Sequence, residues 1–240
     1  MQDNPEDIQK FLENIPDQFN ILEKGIDFKV QAEYVEYSHS FDRGELTEKE
    51  THALGNILFR QETPFEVKKK ALALLAHLGT ILAFRIIEKY FKNPDKDLEQ
   101  WAALALQECK MFLESAIMDI STGFVSSGLG GLANRMRYYF LLLPLTDKLF
   151  TPTQSEIIRD ELQLVCKELN CILETTNFSG NYVGMTILVP MDVAVGTVIE
   201  TGIKNCNELG EFVFQHYYVA NTNIPDESEI TDIIKIVTAD

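Results

Sequence analysis

The stretch Ser126-Ser127-Gly128-Leu129-Gly130-Gly131-Leu132-Ala133-Asn134-Arg135 separates two kinds of pattern. Before it, apolar residues recur at the three-and-four spacing of helices. After it, alternating apolar and polar runs mark strands, with further helices between them. A chain with this break cannot be one uniform bundle or one uniform sheet. The expected class is α+β: an all-helical domain over 1–125, a flexible glycine-rich linker over 126–134, and an α/β domain over 135–240.

In the first part, Pro5–Asn14 reads as a short helix and Asp17–Glu36 as a second, with Phe19, Leu22, Ile26, Val30 and Tyr34 near helical spacing. Tyr37–Gly44 is polar and reads as a loop. Thr47-Glu48-Lys49-Glu50 fits a capping box, in which hydroxyl and carboxylate each satisfy an orphan N–H. Thr63-Pro64 opens another helix, Leu78-Gly79-Thr80 ends it, and Ile81–Lys92, the turn Asn93-Pro94-Asp95 and the helix Asp97–Ile117 follow. Glu66–Leu75 aligns with Asp97–Leu106, 31 positions later, polar on polar and small apolar on small apolar. This helix, Leu-Gly corner, helix and Asn-Pro-Asp turn resembles the short HEAT-like repeat over about residues 64–114. It departs from the family in showing about one and a half repeats, with no glycine corner after Gln107-Glu108-Cys109. The resemblance implies a protein-binding scaffold without catalysis.

In the second part, Arg135–Leu143 alternates as a strand. Thr153-Gln154-Ser155-Glu156 fits a capping box opening an amphipathic helix. Cys171–Phe178 and Tyr182–Met191 read as a hairpin turning at Ser179-Gly180-Asn181. Asp192 then caps a helix to about Leu209, Phe212–Ala220 is a fourth strand, and Ser228–Val237 a last helix. The order strand-helix-strand-strand-helix-strand resembles the ferredoxin-like fold, with helices on one face of a four-stranded antiparallel sheet. That fold serves many activities, so function has to come from a site.

The balance of 37 acidic to 21 basic side chains gives a net charge of −16, spread over both parts. Such a field repels phosphate backbones, so no nucleic-acid partner is expected. The one dense basic run, Lys68-Lys69-Lys70, reads as the wet face of a helix. The apolar runs are too short to span a bilayer, no signal-peptide pattern opens the chain, and no membrane partner and a cytoplasmic location are expected. Cys109, Cys166, Cys171 and Cys206 form no CxxC pair and read as buried free thiols. No metal or cofactor is expected.

Candidate site residues follow from these placements. Gly128–Gly131 does not match GxGxxG, and a strand follows where a phosphate loop needs a helix. A small anion at the junction would still meet Ser126, Ser127, Asn134 and Arg135. The sheet face away from the helices should carry Arg137, Tyr139, Leu141, Glu174, Thr176, Tyr182, Thr186, Gln215 and Tyr217. His216 could pair with Glu174 as acid and base. The proposed ligand set is thus Ser127, Asn134, Arg135, Arg137, Tyr139 and His216. Trp101, in register with Lys70, would anchor a protein partner if exposed. The expectation is a non-enzymatic interaction or regulatory protein whose second domain self-associates or binds a small molecule. The alternative is a small-molecule sensor or enzyme working in an interdomain cleft.

Overall fold

The computed structural model describes residues 18–38, 46–120, 122–146 and 148–239. The chain divides into two units, Met1–Ser126 and Ser127–Asp240. The class is α+β: among the described residues there are eight helices, a two-stranded parallel sheet and a five-stranded antiparallel sheet.

The first unit is not all-helical. β1 (Gln18–Ile21) pairs in parallel with β2 (Thr122–Val125), which corrects the single helix expected from Asp17 to Glu36. Gln18-Phe19-Asn20-Ile21 alternates with a period of two, but its partner lies about a hundred residues away, where local spacing cannot reveal it. Helix α1 (Phe28–Ser38) begins only after Asp27, whose carboxylate accepts the Lys29 N–H at 2.8 Å. The helix expected over Pro5–Asn14 lies outside the described residues.

Four further helices follow: α2 (Glu48–Leu58), α3 (Phe65–Leu78), α4 (Ile81–Phe91) and α5 (Glu99–Met118). The Thr47–Glu50 capping box forms as expected. Gly79 closes α3 in the left-handed region, and the Thr80 hydroxyl accepts the Ala83 N–H to start α4. The aligned segments bury equivalent faces: Ala71 and Leu72 of α3, Ala102 and Ala103 of α5. Alanine there lets the two helix backbones approach closely. Helices α2 and α4 meet at Gly55, where an added Cβ would lie 2.9 Å from the Ile86 side chain. Further along, Phe59 meets Tyr90 edge-on at 6.0 Å, so the two helices run side by side in the same direction.

The second unit has β4 (Arg135–Leu142) and β6 (Tyr182–Pro190) at its centre, antiparallel, with β5 (Ile172–Ser179) on the far side of β6. β7 (Tyr218–Ala220) and the short β3 (Gly131–Leu132) share the other edge of β4. Helix α6 (Pro152–Glu168) joins β4 to β5 and α7 (Val195–Glu208) joins β6 to β7. Counting β4 first, the sheet order is fourth, first, third, second, the ferredoxin-like order. Phe140, Leu142, Val183, Met185 and Ile187 meet Ile158, Leu162, Val198 and Ile199 of the two helices in the main core. The opposite face carries Tyr139, Leu141 and Leu143, and α8 (Glu227–Val237) lies on it through Ile230, Ile234 and Val237.

Local details differ from the sequence reading. The glycine-rich stretch is built into the sheet. Ala133 and Asn134 take positive φ (49° and 58°) to turn β3 back into β4, and Leu129 N–H donates to Asn221 C=O at 3.0 Å. The second capping box uses Thr151 and Gln154, because Pro152 takes the first helical position. Ala194, not Asp192, precedes α7. The last strand keeps ladder pairing only over Tyr218–Ala220, and Val213 makes an isolated bridge to Pro144.

Candidate functional site

The residues expected to converge at the start of the second unit are each occupied by the fold. Ser127 is buried, and its hydroxyl donates to Gly130 C=O at 3.2 Å. The Arg135 guanidinium binds the turn at Asn170, donating to its carbonyl at 2.8 Å and its side-chain oxygen at 2.7 Å. Exposed Asn134 belongs to the β3–β4 turn. Arg137 forms a fork on Glu174, Nε to Oε2 at 2.5 Å and Nη2 to Oε1 at 2.8 Å, and Nη1 donates to Leu129 C=O at 2.8 Å. His216 therefore has no claim on Glu174; its ring stands 5.2 Å from that of Phe214.

Of the residues assigned to the face opposite α6 and α7, Arg137, Tyr139, Leu141, Glu174, Tyr182 and Thr186 lie there. A register shift between Leu173 and Thr175 puts Thr175 opposite Thr186, their hydroxyls 2.6 Å apart, and turns Thr176 toward the helices. Tyr217 also faces the helices, donating to Glu200 Oε1 at 3.0 Å. Tyr139 is 6% exposed, and Gly184 makes room for it, since a Cβ there would run into the phenol oxygen. Burial pushes the Tyr139 phenol up to about 12, with Tyr182 and Tyr218 adding to the shift. Gln215 lines an open groove of about 460 Å³ with Glu200, Ile203, Lys204, Asn207 and Glu208. Asn207 is spent there on the backbone of Phe212 and Val213.

Two lysines of the basic run in the first unit, Lys68 and Lys69, are turned to carboxylates, and Lys70 is exposed. Lys68 is 2% exposed and bonded to Asp95 at 2.6 Å, an oxygen that also accepts Tyr90 Oη at 2.6 Å. Burial would raise the Asp95 carboxyl, but the bonds from Lys68 and Tyr90 outweigh it and hold the group below its usual range. Lys69 pairs with Glu33 and Glu66 at 2.6 and 3.1 Å. Trp101 is 1% exposed, boxed by Tyr34 and Tyr37, with its indole N–H on Lys69 C=O, so it offers no surface anchor.

One surface where cations face water is formed by α4 and the end of α2. Ile81, Arg85, Lys89 and Lys92 are exposed at helical spacing along α4. The Lys89 ammonium lies 5.1 Å over the ring of Phe59, which is 48% exposed, and exposed Arg60 follows it directly. Among these, Glu88 is the one carboxylate, 2.9 Å from Arg85. Among the described residues, Arg60, Lys89 and Lys92 form no ion pair. Helix dipoles favour cations at C-terminal ends, which suits Arg60, Lys89 and Lys92. They do not account for so few carboxylates at this face in a chain with 37 of them. The sequence carried a partial signal for it: Arg85, Lys89 and Lys92 recur at four- and three-residue spacing with Glu88 between them.

No protein-family model matches this chain, HEAT-like repeats included, and no curated protein does. Among solved structures, a REP-associated tyrosine transposase bound to a REP hairpin is similar over 43% of this chain and 65% of its own, at 8% identity and a TM-score of 0.33. This chain thus spans less than two thirds of that protein. A transposase-like protein of Deinococcus radiodurans is similar over 45% of this chain and 93% of its own, at 10% identity and a TM-score of 0.35. No residue of this chain takes a role from either.

Two expectations are corrected. The similar solved structures are transposases, one bound to a nucleic-acid hairpin, and neither the exclusion of nucleic acid nor the interaction-or-sensor reading is kept. The physical error in the exclusion is plain. Net charge sums over the whole chain, whereas a polyanion meets one face, and exposed Arg60, Arg85, Lys89 and Lys92 lie on α4 and the end of α2. Among the described residues no helix is long and apolar enough to cross a membrane, and no group of His, Cys, Asp and Glu could hold a metal ion.

Proposed function

We propose that this protein binds nucleic acid through the α2–α4 face of its first unit. One observation carries the reading: exposed Arg60, Arg85, Lys89 and Lys92 lie on α4 and the end of α2, Lys89 over the exposed Phe59 ring, with Glu88 as the carboxylate paired to one of them, in a chain of net charge −16. Arg60, Lys89 and Lys92, which form no ion pair among the described residues, repel one another, and a row of phosphates relieves that repulsion while releasing counterions. The proposal concerns binding alone. A cytoplasmic location accompanies it, supported by four free, buried cysteines. The Cys109, Cys166 and Cys206 thiols are pushed up to about 12 by burial.

Fluorescence anisotropy of labelled DNA with the full chain, at about 50 mM salt, tests this. Saturable binding that weakens about tenfold or more in Arg85→Glu/Lys89→Glu, with an unchanged melting temperature, is expected. Binding indifferent to the double reversal, or no binding at all, overturns the reading.

A further inference from the structure

Resting on that reading, we infer that the strand held at this face is single, with Phe59 as the platform on which an unpaired base stacks. Phe59 caps the C-terminal end of α2, and its ring is braced edge-on by Tyr90 at 6.0 Å with the planes 78° apart. Tyr90 is itself fixed, 2% exposed and bonded to Asp95 at 2.6 Å. An aromatic that is half exposed yet anchored from below presents a surface with little rotamer freedom to lose on binding. Paired bases already stack on each other and turn only their edges outward, so a duplex can use such a ring only by unstacking a base step, at a cost in free energy. A single strand can use it without that cost, and stacking of this kind accepts any base.

The one group over the ring is the Lys89 ammonium. An exposed cation–π contact is worth a factor of about 2 to 5 in an equilibrium, against about 5 to 150 for a base on an aromatic ring. The base therefore wins the ring, and the ammonium swings on its flexible stem to the adjoining phosphate. Arg85, Lys89 and Lys92 rise along α4 in steps of about 4.5 to 6 Å, a ladder along which an unstacked backbone can run. Arg60 holds the strand from the α2 side. The occupant is thus a short single-stranded segment, contacted through its phosphates and one base and read without sequence preference.

The test uses the full chain with labelled oligo-dT and with the same strand annealed to oligo-dA. Oligo-dT is expected to bind about tenfold more tightly than the duplex, and Phe59→Ala to weaken oligo-dT alone by about 5- to 150-fold. Phe59→Trp keeps the aromatic surface, so it is expected to retain affinity and show tryptophan quenching on binding; it also guards against a folding defect in the alanine variant. Suppose Phe59→Ala leaves oligo-dT affinity unchanged, or the duplex binds as tightly, while Arg85→Glu/Lys89→Glu weakens both. Then the single-strand inference fails and the nucleic-acid reading stands. If neither DNA binds, or poly-glutamate competes as well as DNA of equal charge, the nucleic-acid reading itself fails.

Discussion

Lys69 over Trp101 and Lys89 over Phe59 are nearly the same contact by distance, with ammonium to ring centroid at 4.9 and 5.1 Å. Their surroundings differ in every other respect. Lys69 is held by Glu33 and Glu66, and Trp101 is sealed under α1. Lys89 has no carboxylate partner among the described residues, and Phe59 is half exposed. The first contact is internal structure, with its charge neutralised where it stands. The second leaves charge and ring surface unspent. The lesson extends to the second unit, where Arg135 and Arg137 are also spent, on Asn170 and Glu174. A cation is a candidate for binding by what fails to bond it, and that is a property of the fold.

The comparison breaks most readily at Trp101. Trp101→Ala should cost the first unit about 3–5 kcal/mol, because it empties a fully buried ring site. Phe59→Ala should change stability by less than about 0.5 kcal/mol beyond its lost contact with Tyr90. Urea denaturation of the two variants checks this, and equal losses would erase the distinction.

Next in size is the Lys68–Asp95–Tyr90 cluster. Because the folded state holds the Asp95 carboxyl below its unfolded value, its contribution is complete above the ordinary carboxylate range and is lost as pH falls through the folded value. The melting temperature of the first unit should drop on acidification below about pH 4, and by less in Asp95→Asn, which already lacks that contribution. A wild-type and variant pair falling in parallel would deny the cluster this role. Arg137→Ala comes third. It takes the fork from a half-buried Glu174 and should cost about 1–3 kcal/mol with DNA affinity unchanged, since Arg137 bonds inward. The smallest stability effect belongs to Arg85→Glu/Lys89→Glu, within about 0.5 kcal/mol, although it removes most of the binding. In wild type the logarithm of affinity against that of salt should slope at about −3, as for four phosphates on a single strand.

The elements of the second unit could be read in the sequence because each announces itself locally. Alternation marks β4 and β6, and Gly180 marks the hairpin. The parallel β1–β2 pair could not be, since its two halves lie at opposite ends of the first unit. The bulge at Glu174 was equally hidden, and one extra residue was enough to send Thr176 to the wrong face. The candidate face was half legible. Arg85, Lys89 and Lys92 at four- and three-residue spacing describe a stripe, and residues 59–92 run against the charge of the chain. The Lys68–Lys70 run looked denser, and only packing shows that Asp95, Glu33 and Glu66 take up Lys68 and Lys69 and leave Lys70 exposed.

The central claim is that the unspent cations of the α2–α4 face bind the nucleic acid. Acetylation of lysines with and without saturating oligo-dT, read by peptide mass spectrometry, tests it directly. Lys89 and Lys92 should be protected by DNA, while Lys204 and Lys235, exposed in the second unit with side chains 75% and 71% accessible, should react at the same rate throughout. Protection at Lys204 or Lys235 with none at Lys89 and Lys92 would contradict it.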